Sequence, residues 1–207
     1  MLKIENVNVF GWEAAIRGMR NPKNSWDKSD SFTFPPSTED GTPWIGSNDL
    51  KLMKTLTSAG SDHGKFMRMI HVQCDVVAPL YWWKEADQYK VGTVTDSCST
   101  MHKIHAKEFT LDDFSHGHLC RCWIEHLDQT CDLLNLARTQ FLETKDKCYW
   151  WQMIQLLPSS YNQRRTLDLN YAVLKNMYHA RKNHKLDEWH TFCEWLETLP
   201  YSELIIG

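Results

Sequence analysis

Apolar residues recur at steps of three and four along several segments of this chain, which is the pattern of helices that bury one face. The longest such segment covers about 118–142, and shorter ones cover 11–19, 47–58, 147–157 and 187–199. Pro79 suits the first turn of a further helix over 80–89. A short helix is predicted over 102–109, and Thr110 with Asp113 resembles the capping signal of the element that follows.

Alternation of apolar and polar residues predicts two strands. Residues 2–10 predict an edge strand with an irregularity near Glu5, and residues 66–77 alternate as a strand exposed on one side would. The segment 91–100, VGTVTDSCST, is rich in hydroxyls and predicts a loop. Residues 21–46 are rich in Pro, Ser, Asp, Asn and Gly, and they predict a long surface loop whose length fits a lid as well as a plain connection.

These elements together predict one α/β (α+β) domain over residues 1–207, with a central mixed or antiparallel sheet flanked by long helices. A chain of 207 residues, of which 42% are apolar, is large enough to bury a core as one domain. No internal repeat or linker-like stretch divides it.

The segment 157–181 combines a helical pattern with polar residues on the face that should be buried. From Thr166 onward apolar residues follow helical spacing, and at about 100° per residue Asn170 and Arg181 fall on the apolar stripe, whereas Asn176 does not. An amide and a guanidinium on such a face are unfavourable unless each finds a partner. The partner is either the neighbouring backbone or a bound ligand.

Charge and hydropathy exclude several classes of protein. The net charge of −3 provides no general field for binding nucleic acid polymers. The sequence has no run of about 18–20 apolar residues that would span a membrane, and its first residues lack the layout of a signal peptide. We therefore expect a cytoplasmic protein.

Cysteine and tryptophan usage adds two expectations. The seven cysteines are an odd number without CxxC pairs, which favours reduced thiols over disulfides or a zinc framework. The ten tryptophans include two adjacent pairs, Trp82-Trp83 and Trp150-Trp151. Because neighbours on a helix point in different directions, these pairs suggest subunit contacts or a ring-stacking pocket as well as core.

Two other kinds of site have weaker support. The histidines at 102, 105, 116 and 118 suggest a metal cluster, but His102 and His105 supply only two convergent ligands, so we expect no metal site. A serine hydrolase is not supported, because the sequence contains no GxSxG elbow.

The spacing of Leu157-Pro158, Asn170, Asn176 and Arg181 resembles the C-terminal signature of the flavin-dependent thymidylate synthases. The resemblance implies that Asn170 and Asn176 contact FAD. It also implies that Arg181 holds a uracil ring and acts as the catalytic cation, stabilising the negative charge that develops there. The alternative for Arg181 is an ion pair with Asp187 or Glu188.

A second block, residues 63–101, resembles the family's N-terminal half without a gap, and it implies that His63 lies at the flavin edge. The family motif RHRxxSxxxxSxR falls on residues 88–100, where only one of its basic groups survives, as Lys90. The resemblance implies further FAD contacts for Tyr89, Lys90 and Asp96. It implies nucleotide contacts for Glu85, Cys98, Ser99 and Thr100.

Two arginines that face phosphate in this family are replaced here by Thr100 and Ile154. Bonds to a charged group contribute about 1.5–3 kcal/mol each, so their loss would weaken nucleotide binding by orders of magnitude. The hydroxyl-rich turn at 97–100 with nearby Lys103, Arg164 or Arg165 is a possible replacement.

The family resemblance implies reductive methylation of a dUMP-like pyrimidine nucleotide, with FAD as cofactor, NADPH and a folate as further partners, and a homotetramer. Two alternatives stay open because of the missing arginines. The protein is then either a flavin- and nucleotide-binding protein that has lost synthase activity, or a flavoenzyme with a different substrate.

Overall fold

The computed structural model describes residues 2–32 and 43–207, which form four strands and eight α-helices. The strands are β1 (Lys3–Phe10), β2 (His71–Pro79), β3 (Val94–Ser97) and β4 (Asn162–Asn170). The helices are α1 (Trp12–Arg20), α2 (Ser47–Ser58), α3 (Leu80–Ala86), α4 (Arg121–Thr144), α5 (Lys147–Leu156), α6 (Tyr171–Arg181), α7 (Asp187–Glu197) and α8 (Glu203–Ile206). Short 3-10 turns lie at Asn21–Lys23, Trp26–Lys28, Gly64–Met69 and Leu111–Asp113.

The strands form one sheet in the order β1-β2-β4-β3. Side-chain contacts give the direction of the central pair: His71 bonds to Asp168, and four residues later Asp75 bonds to Thr166. As the residue number rises along β2, the number of the partner residue on β4 falls. The two strands are therefore antiparallel. The prediction of helices around an antiparallel sheet is confirmed.

The chain divides into two compact units. Unit 1 contains Val76–Gln88 and Asp96–Arg165 together with the start of the chain, and unit 2 contains Ile4–Asp75, Tyr89–Thr95 and Thr166–Gly207. The prediction that residues 1–207 form one domain stays a prediction.

Unit 1 is organised by the packing of α4 against α5. Buried apolar residues on α4, including Leu127, Leu134 and Ala137, cluster with Met153 on α5. They occur at steps of three and seven, so they form one stripe of the helix. The capping box predicted at Thr110 and Asp113 is present and opens the turn that leads towards α4.

Unit 2 buries its largest side chains between α1, α6 and α7. Trp12 on α1 packs edge-on against Tyr171 at the start of α6, and Trp189 on α7 is fully buried. β1 follows the predicted bounds, and the expected irregularity is at Asn6, whose φ is +53°. None of the described helices is both long and apolar enough to cross a membrane.

Several predicted elements are wrong or shifted. Residues 64–69 form a 3-10 turn, so the strand predicted from 66 begins only at His71; Phe66 and Met67 are both buried, which alternation would not allow. The predicted loop at 91–100 contains β3, which pairs with β4. The helix predicted at 80–89 ends at Ala86, and residues 102–109 form turns instead of a helix.

The segment that joins β4 to α6 differs most from the prediction. Residues 166–170 are strand, and the helix begins at Tyr171 instead of Thr166. Leu167 and Leu169 are buried while Thr166 and Asp168 turn to β2, so the local period is two. Asn170 therefore lies at the junction and not on the helical stripe.

Residues 21–32 and 43–46 of the predicted long loop contain two 3-10 turns and an antiparallel bridge between Phe32 and Trp44. The rest of that prediction, residues 33–42, lies outside the described residues.

Candidate functional site

Asn170 closes the junction between β4 and α6. Its Oδ1 accepts a hydrogen bond from the backbone N–H of Val173 at 3.0 Å, which is the N-cap arrangement, and its Nδ2 donates to the carbonyl of Gly92 at 3.1 Å. The residue is 6% exposed. Both ends of the amide are therefore already paired with backbone groups.

The turn that Asn170 contacts, residues 89–93, is itself closed by side-chain bonds. The hydroxyl of Thr93 donates to the carbonyl of Tyr89 at 2.7 Å. Gly92 has a φ of +73°, and a Cβ on this residue would lie 2.5 Å from Nδ2 of Asn170. A glycine is thus required both by the backbone angle and by the close approach of Asn170.

Arg181, at the end of α6, is held by two aromatic rings. Its Nε donates to the hydroxyl of Tyr89 at 2.9 Å, and its guanidinium lies 4.9 Å from the ring centre of Trp189 and 5.5 Å from that of Tyr89. A cation over an aromatic face is favoured by the ring quadrupole, most strongly for tryptophan. The structure thus joins two predicted site residues, Tyr89 and Arg181, through a direct bond.

The other predicted residues of unit 2 point to its surface. His63 is exposed just before the 3-10 turn at 64–69, and Lys90 and Asn176 are exposed as well. Within the described part of the chain, the amide of Asn176 has no hydrogen-bond partner. It is free for a ligand, unlike the amide of Asn170.

Unit 1 holds the remaining predicted residues. Asp96, Cys98 and Ser99 are exposed on and after β3, whereas Thr100 and Glu85 are partly buried. The hydroxyl oxygen of Ser99 accepts the backbone N–H groups of Met101 and His102 at 3.2 and 2.9 Å. Ser99 therefore occupies the two N–H groups that directly follow the hydroxyl-rich turn.

Arg165, one candidate to replace a missing phosphate arginine, is engaged elsewhere in unit 1. Its guanidinium stacks 4.2 Å from the ring centre of Trp83, bonds to Asp87 at 2.7 Å and donates to Gln163 at 3.0 Å. Only 13% of its side chain is exposed. These contacts fix Arg165 as a structural group.

A buried ion pair anchors the first part of the predicted long loop in unit 2. Nε of Arg20 bonds to Oδ1 of Asp49 at 2.6 Å, and these side chains are 5% and 0% exposed. Burial alone would raise the pKa of Asp49, but hydrogen bonds from Ser31, Ser29 and Arg20, with the charge of Arg20, lower it. Arg20 also donates to the carbonyls of Ser25 and Lys28.

All seven cysteines are free, as predicted. Burial raises the pKa of Cys74 to about 12 and those of Cys131 and Cys193 to about 11, so these three are neutral thiols near pH 7. Among the described residues, no three His, Cys, Asp or Glu side chains converge to hold a metal ion.

A groove of about 540 Å³ lies on unit 2 beside α6 and α7. It is lined by Tyr178, Lys182, Asn183, His190, Cys193, Glu194 and Glu197, and none of the predicted site residues is among them. The groove therefore does not serve as the predicted site.

Sequence reasoning missed two residues of the Arg181 environment. Trp189 lies in the helix predicted over 187–199, and Gly92 lies in the loop predicted over 91–100. Glycine between Val91 and Thr93 is a signal for a turn with positive φ. The stacking of Trp189 had no such signal, because it depends on how α7 packs against α6.

No protein-family model matches the sequence, and a search of the curated proteins finds no match. Among solved structures, the flavin-dependent thymidylate synthase of Helicobacter pylori, in complex with FAD and dUMP, superposes with a TM-score of 0.69 at 15% identity, covering 98% of each chain. A second structure of that synthase with FAD and dUMP gives a TM-score of 0.71 at 14% identity, over 100% of this chain and 98% of the other. A UMP/dUMP methylase of Streptomyces cacaoi bound with 5-Br dUMP gives 0.60 at 12% identity, over 96% and 88%. The chain thus has the fold of these proteins.

Proposed function

We propose that this protein is a divergent flavin-dependent thymidylate synthase-like flavoenzyme that binds FAD and a dUMP-like pyrimidine nucleotide. The observation that carries the proposal is the fixed guanidinium of Arg181, held by Tyr89 and Trp189 in a chain with the fold of proteins solved with FAD and dUMP. The reaction is the reductive methylation of dUMP or a closely related conversion, with NADPH and a folate as further reactants.

In this proposal Arg181 binds the pyrimidine ring and stabilises negative charge on it. An arginine is always protonated, and a guanidinium that is already oriented loses little entropy when it bonds to a carbonyl oxygen. FAD, if bound here and reduced by NADPH, would supply a hydride to the nucleotide. Trp189 is fully buried, so the ring against which the guanidinium packs is held in place by the core.

The polar groups of unit 2 fit the edge of a flavin ring chemically. Asn176 supplies an unpaired amide, and His63 and Lys90 supply an exposed imidazole and ammonium group that can donate to ring carbonyls. In unit 1, Asp96 remains a proposed FAD contact. Asn170, whose amide is paired at both ends, supports the site by holding the turn 89–93.

The proposed nucleotide contacts in unit 1 are Glu85, Cys98, Ser99 and Thr100. Because Arg165 is engaged with Asp87 and Trp83, charge for a phosphate would come from exposed Lys103 or from Arg164. A lysine binds phosphate as a point charge without the bidentate fork of arginine. We therefore expect weaker binding of the phosphate than an arginine site would provide.

The alternative is a protein of the same fold that binds flavin and nucleotide without synthase activity. The engagement of Arg165 favours it, because it removes one candidate replacement for the missing arginines. A different pyrimidine substrate is compatible with the same contacts.

Titration with FAD and then dUMP tests the proposal. The purified protein should show flavin absorbance after incubation with FAD and gel filtration, and the flavin-loaded protein should bind dUMP. Faster NADPH oxidation on adding dUMP would favour the synthase, and oxidation indifferent to dUMP would favour the non-synthase alternative. A protein that retains no flavin and binds no dUMP at millimolar concentration would refute both.

We further propose a homotetramer, supported by an exposed apolar face on α4. Leu133 and Leu136, which lie one turn apart on this helix of unit 1, are 57% and 60% exposed. Large apolar side chains of this kind mark protein contacts when they cluster. A cytoplasmic location also remains a prediction.

Replacing Leu133 by glutamate is expected to convert the tetramer to smaller species, because a charge would be buried at the contact. Light scattering after gel filtration measures the mass. The matched control is Thr139→Glu, which adds the same charge at another exposed position of α4 and should leave the mass unchanged. A monomer mass for the wild-type protein, or an unchanged mass for Leu133→Glu, would contradict the tetramer contact.

A further inference from the structure

The side-chain amide of Gln163, on β4, is buried and bonded at both ends. The residue is 7% exposed. Its Oε1 accepts the Nε–H of Arg165 at 3.0 Å, and its Nε2 donates to the backbone carbonyl of Cys98 at 2.7 Å. A guanidinium only donates and a carbonyl only accepts, so turning the amide round would lose both bonds. The two partners therefore fix the orientation of the Gln163 amide.

Arg165 and Trp83 hold Gln163 from the side of α3. The guanidinium of Arg165 stacks on Trp83 and bonds to Asp87, and the indole N–H of Trp83 donates to the backbone carbonyl of Gln163 at 3.0 Å. Trp83 is 2% exposed. These contacts would join α3 to β4 without the Nε2 group of Gln163, which is directed to Cys98 instead.

Cys98 has an exposed side chain and a backbone that is held on both sides. Its N–H donates to the carbonyl of Arg164 at 2.9 Å, and its carbonyl accepts from Gln163. The thiol is exposed, and Cys98 directly follows β3, whose four residues are exposed as well. The bond to Gln163 is thus a buried anchor for a segment whose own side chains lie at the surface. A surface group that is already ordered loses less entropy when it contacts a ligand.

We propose that Gln163 is a positioning residue of the nucleotide site, which anchors the backbone of Cys98 and so orients the turn at 97–100. Gln163 itself does not touch the nucleotide. The inference rests on the proposed function, in which Cys98, Ser99 and Thr100 are nucleotide contacts.

Replacing Gln163 by glutamate tests the anchor without changing the length of the side chain. The carboxylate still accepts from Arg165, but it cannot donate to the carbonyl of Cys98. We expect hydrogen exchange at the N–H of Cys98 to become about 10-fold faster. In calorimetric titration of the FAD-loaded full chain, dUMP binding should weaken about 3- to 10-fold, while FAD affinity stays the same. Gln163→Met also lacks the donor and has no charge, so it should give the same changes if the glutamate variant does not fold.

The matched control is Asn135→Asp, which makes the same exchange of amide for carboxylate in unit 1. Asn135 on α4 also holds a backbone segment: its Oδ1 accepts the N–H of Phe109 at 2.8 Å, and its Nδ2 donates to the carbonyl of Phe109 at 2.9 Å. This variant should speed hydrogen exchange near Phe109 only. Exchange at Cys98 and the affinity for dUMP should match those of the wild-type protein.

Three results would overturn the inference while the proposed function stands. One is unchanged hydrogen exchange at Cys98 in the Gln163 variants, and another is unchanged dUMP affinity in spite of faster exchange. The third is an equal loss of dUMP affinity in Asn135→Asp, which would mean that Gln163 only stabilises unit 1. A wild-type protein that binds no dUMP would refute the role of Gln163 and, if it also binds no FAD, the proposed function itself.

Discussion

Replacing Asp49 by asparagine is expected to lower the free energy of unfolding by about 3–5 kcal/mol, the usual effect of removing one partner of a buried ion pair. Arg20 would keep its charge at 4% exposure without a carboxylate beside it. The asparagine also supplies one acceptor oxygen where Asp49 uses two. Oδ2 accepts at 2.7 Å from each of the hydroxyls of Ser29 and Ser31.

Urea unfolding followed by circular dichroism measures this change. The matched control is Glu13→Gln, which breaks an exposed pair with Arg17 on α1, where the atoms are 3.8 Å apart and both side chains are 69% exposed. Surface pairs of this kind contribute about 0–1 kcal/mol. A loss below about 1 kcal/mol for Asp49→Asn would show that the network adds no more than a surface pair.

The contribution of the Asp49 carboxylate to the free energy of unfolding should also depend on pH. The folded-state pKa of Asp49 lies below its ordinary value of 3.8, so its contribution is fully present above about pH 4 and is lost as the pH falls through the folded-state pKa. Asparagine cannot take up this proton. The difference in stability between the wild-type protein and Asp49→Asn should therefore shrink in acid.

Replacing Arg181 by methionine is expected to weaken dUMP binding by about 100-fold or more, because at least one charge-assisted hydrogen bond to the ring and the cation itself are lost. Methionine keeps an apolar stem against Trp189, so α6 and α7 should still pack. FAD binding should change little, since Arg181 is assigned to the nucleotide.

Calorimetric titration of FAD and dUMP with this variant separates the two ligands. Arg17→Met, which removes an exposed arginine of α1, is the control for a general loss of positive charge and should bind dUMP as the wild-type protein does. Equal affinities for dUMP in the wild-type protein and Arg181→Met would refute the role of the arginine. Loss of FAD and dUMP together would show that Arg181 supports the structure of unit 2 and does not recognise the ring.

The helices were largely predictable because their signals are local. α5 and α7 begin at the predicted residues, and α4 needs only a small shift of its ends. In each case the apolar stripe restricts the backbone within a few turns, and in α5 the side chain of Asp146 also caps the first turn. The similarity to the flavin-dependent synthases at the level of fold was also predictable, from the spacing of Leu157, Asn170 and Arg181.

The strands needed information from distant parts of the chain. Leu167 and Leu169 fit the helical stripe of α6 as well as the alternation of β4, and only pairing with β2 chooses between them. β3 is exposed along its whole length, so it has no alternation to detect. Its strand conformation comes from backbone pairing with β4.

Some features of the candidate site likewise follow from the local sequence, and others depend on contacts between distant parts of the chain. The sequence by itself determined which side chains carry an amide, a guanidinium or a phenol, and it placed Gly92 in a loop. The apolar spacing alone puts Asn170 inside a helix, and its position as the cap of α6 depends on the pairing of β4 with β2. The tertiary structure decided that Asn170 is occupied by backbone groups, that Tyr89 meets Arg181 across 92 positions, and that Trp189 lies beneath the guanidinium. The physical reason is that hydrogen bonds and ring contacts form between atoms a few ångströms apart, and that proximity arises only when α6, α7 and the turn at 89–93 pack together.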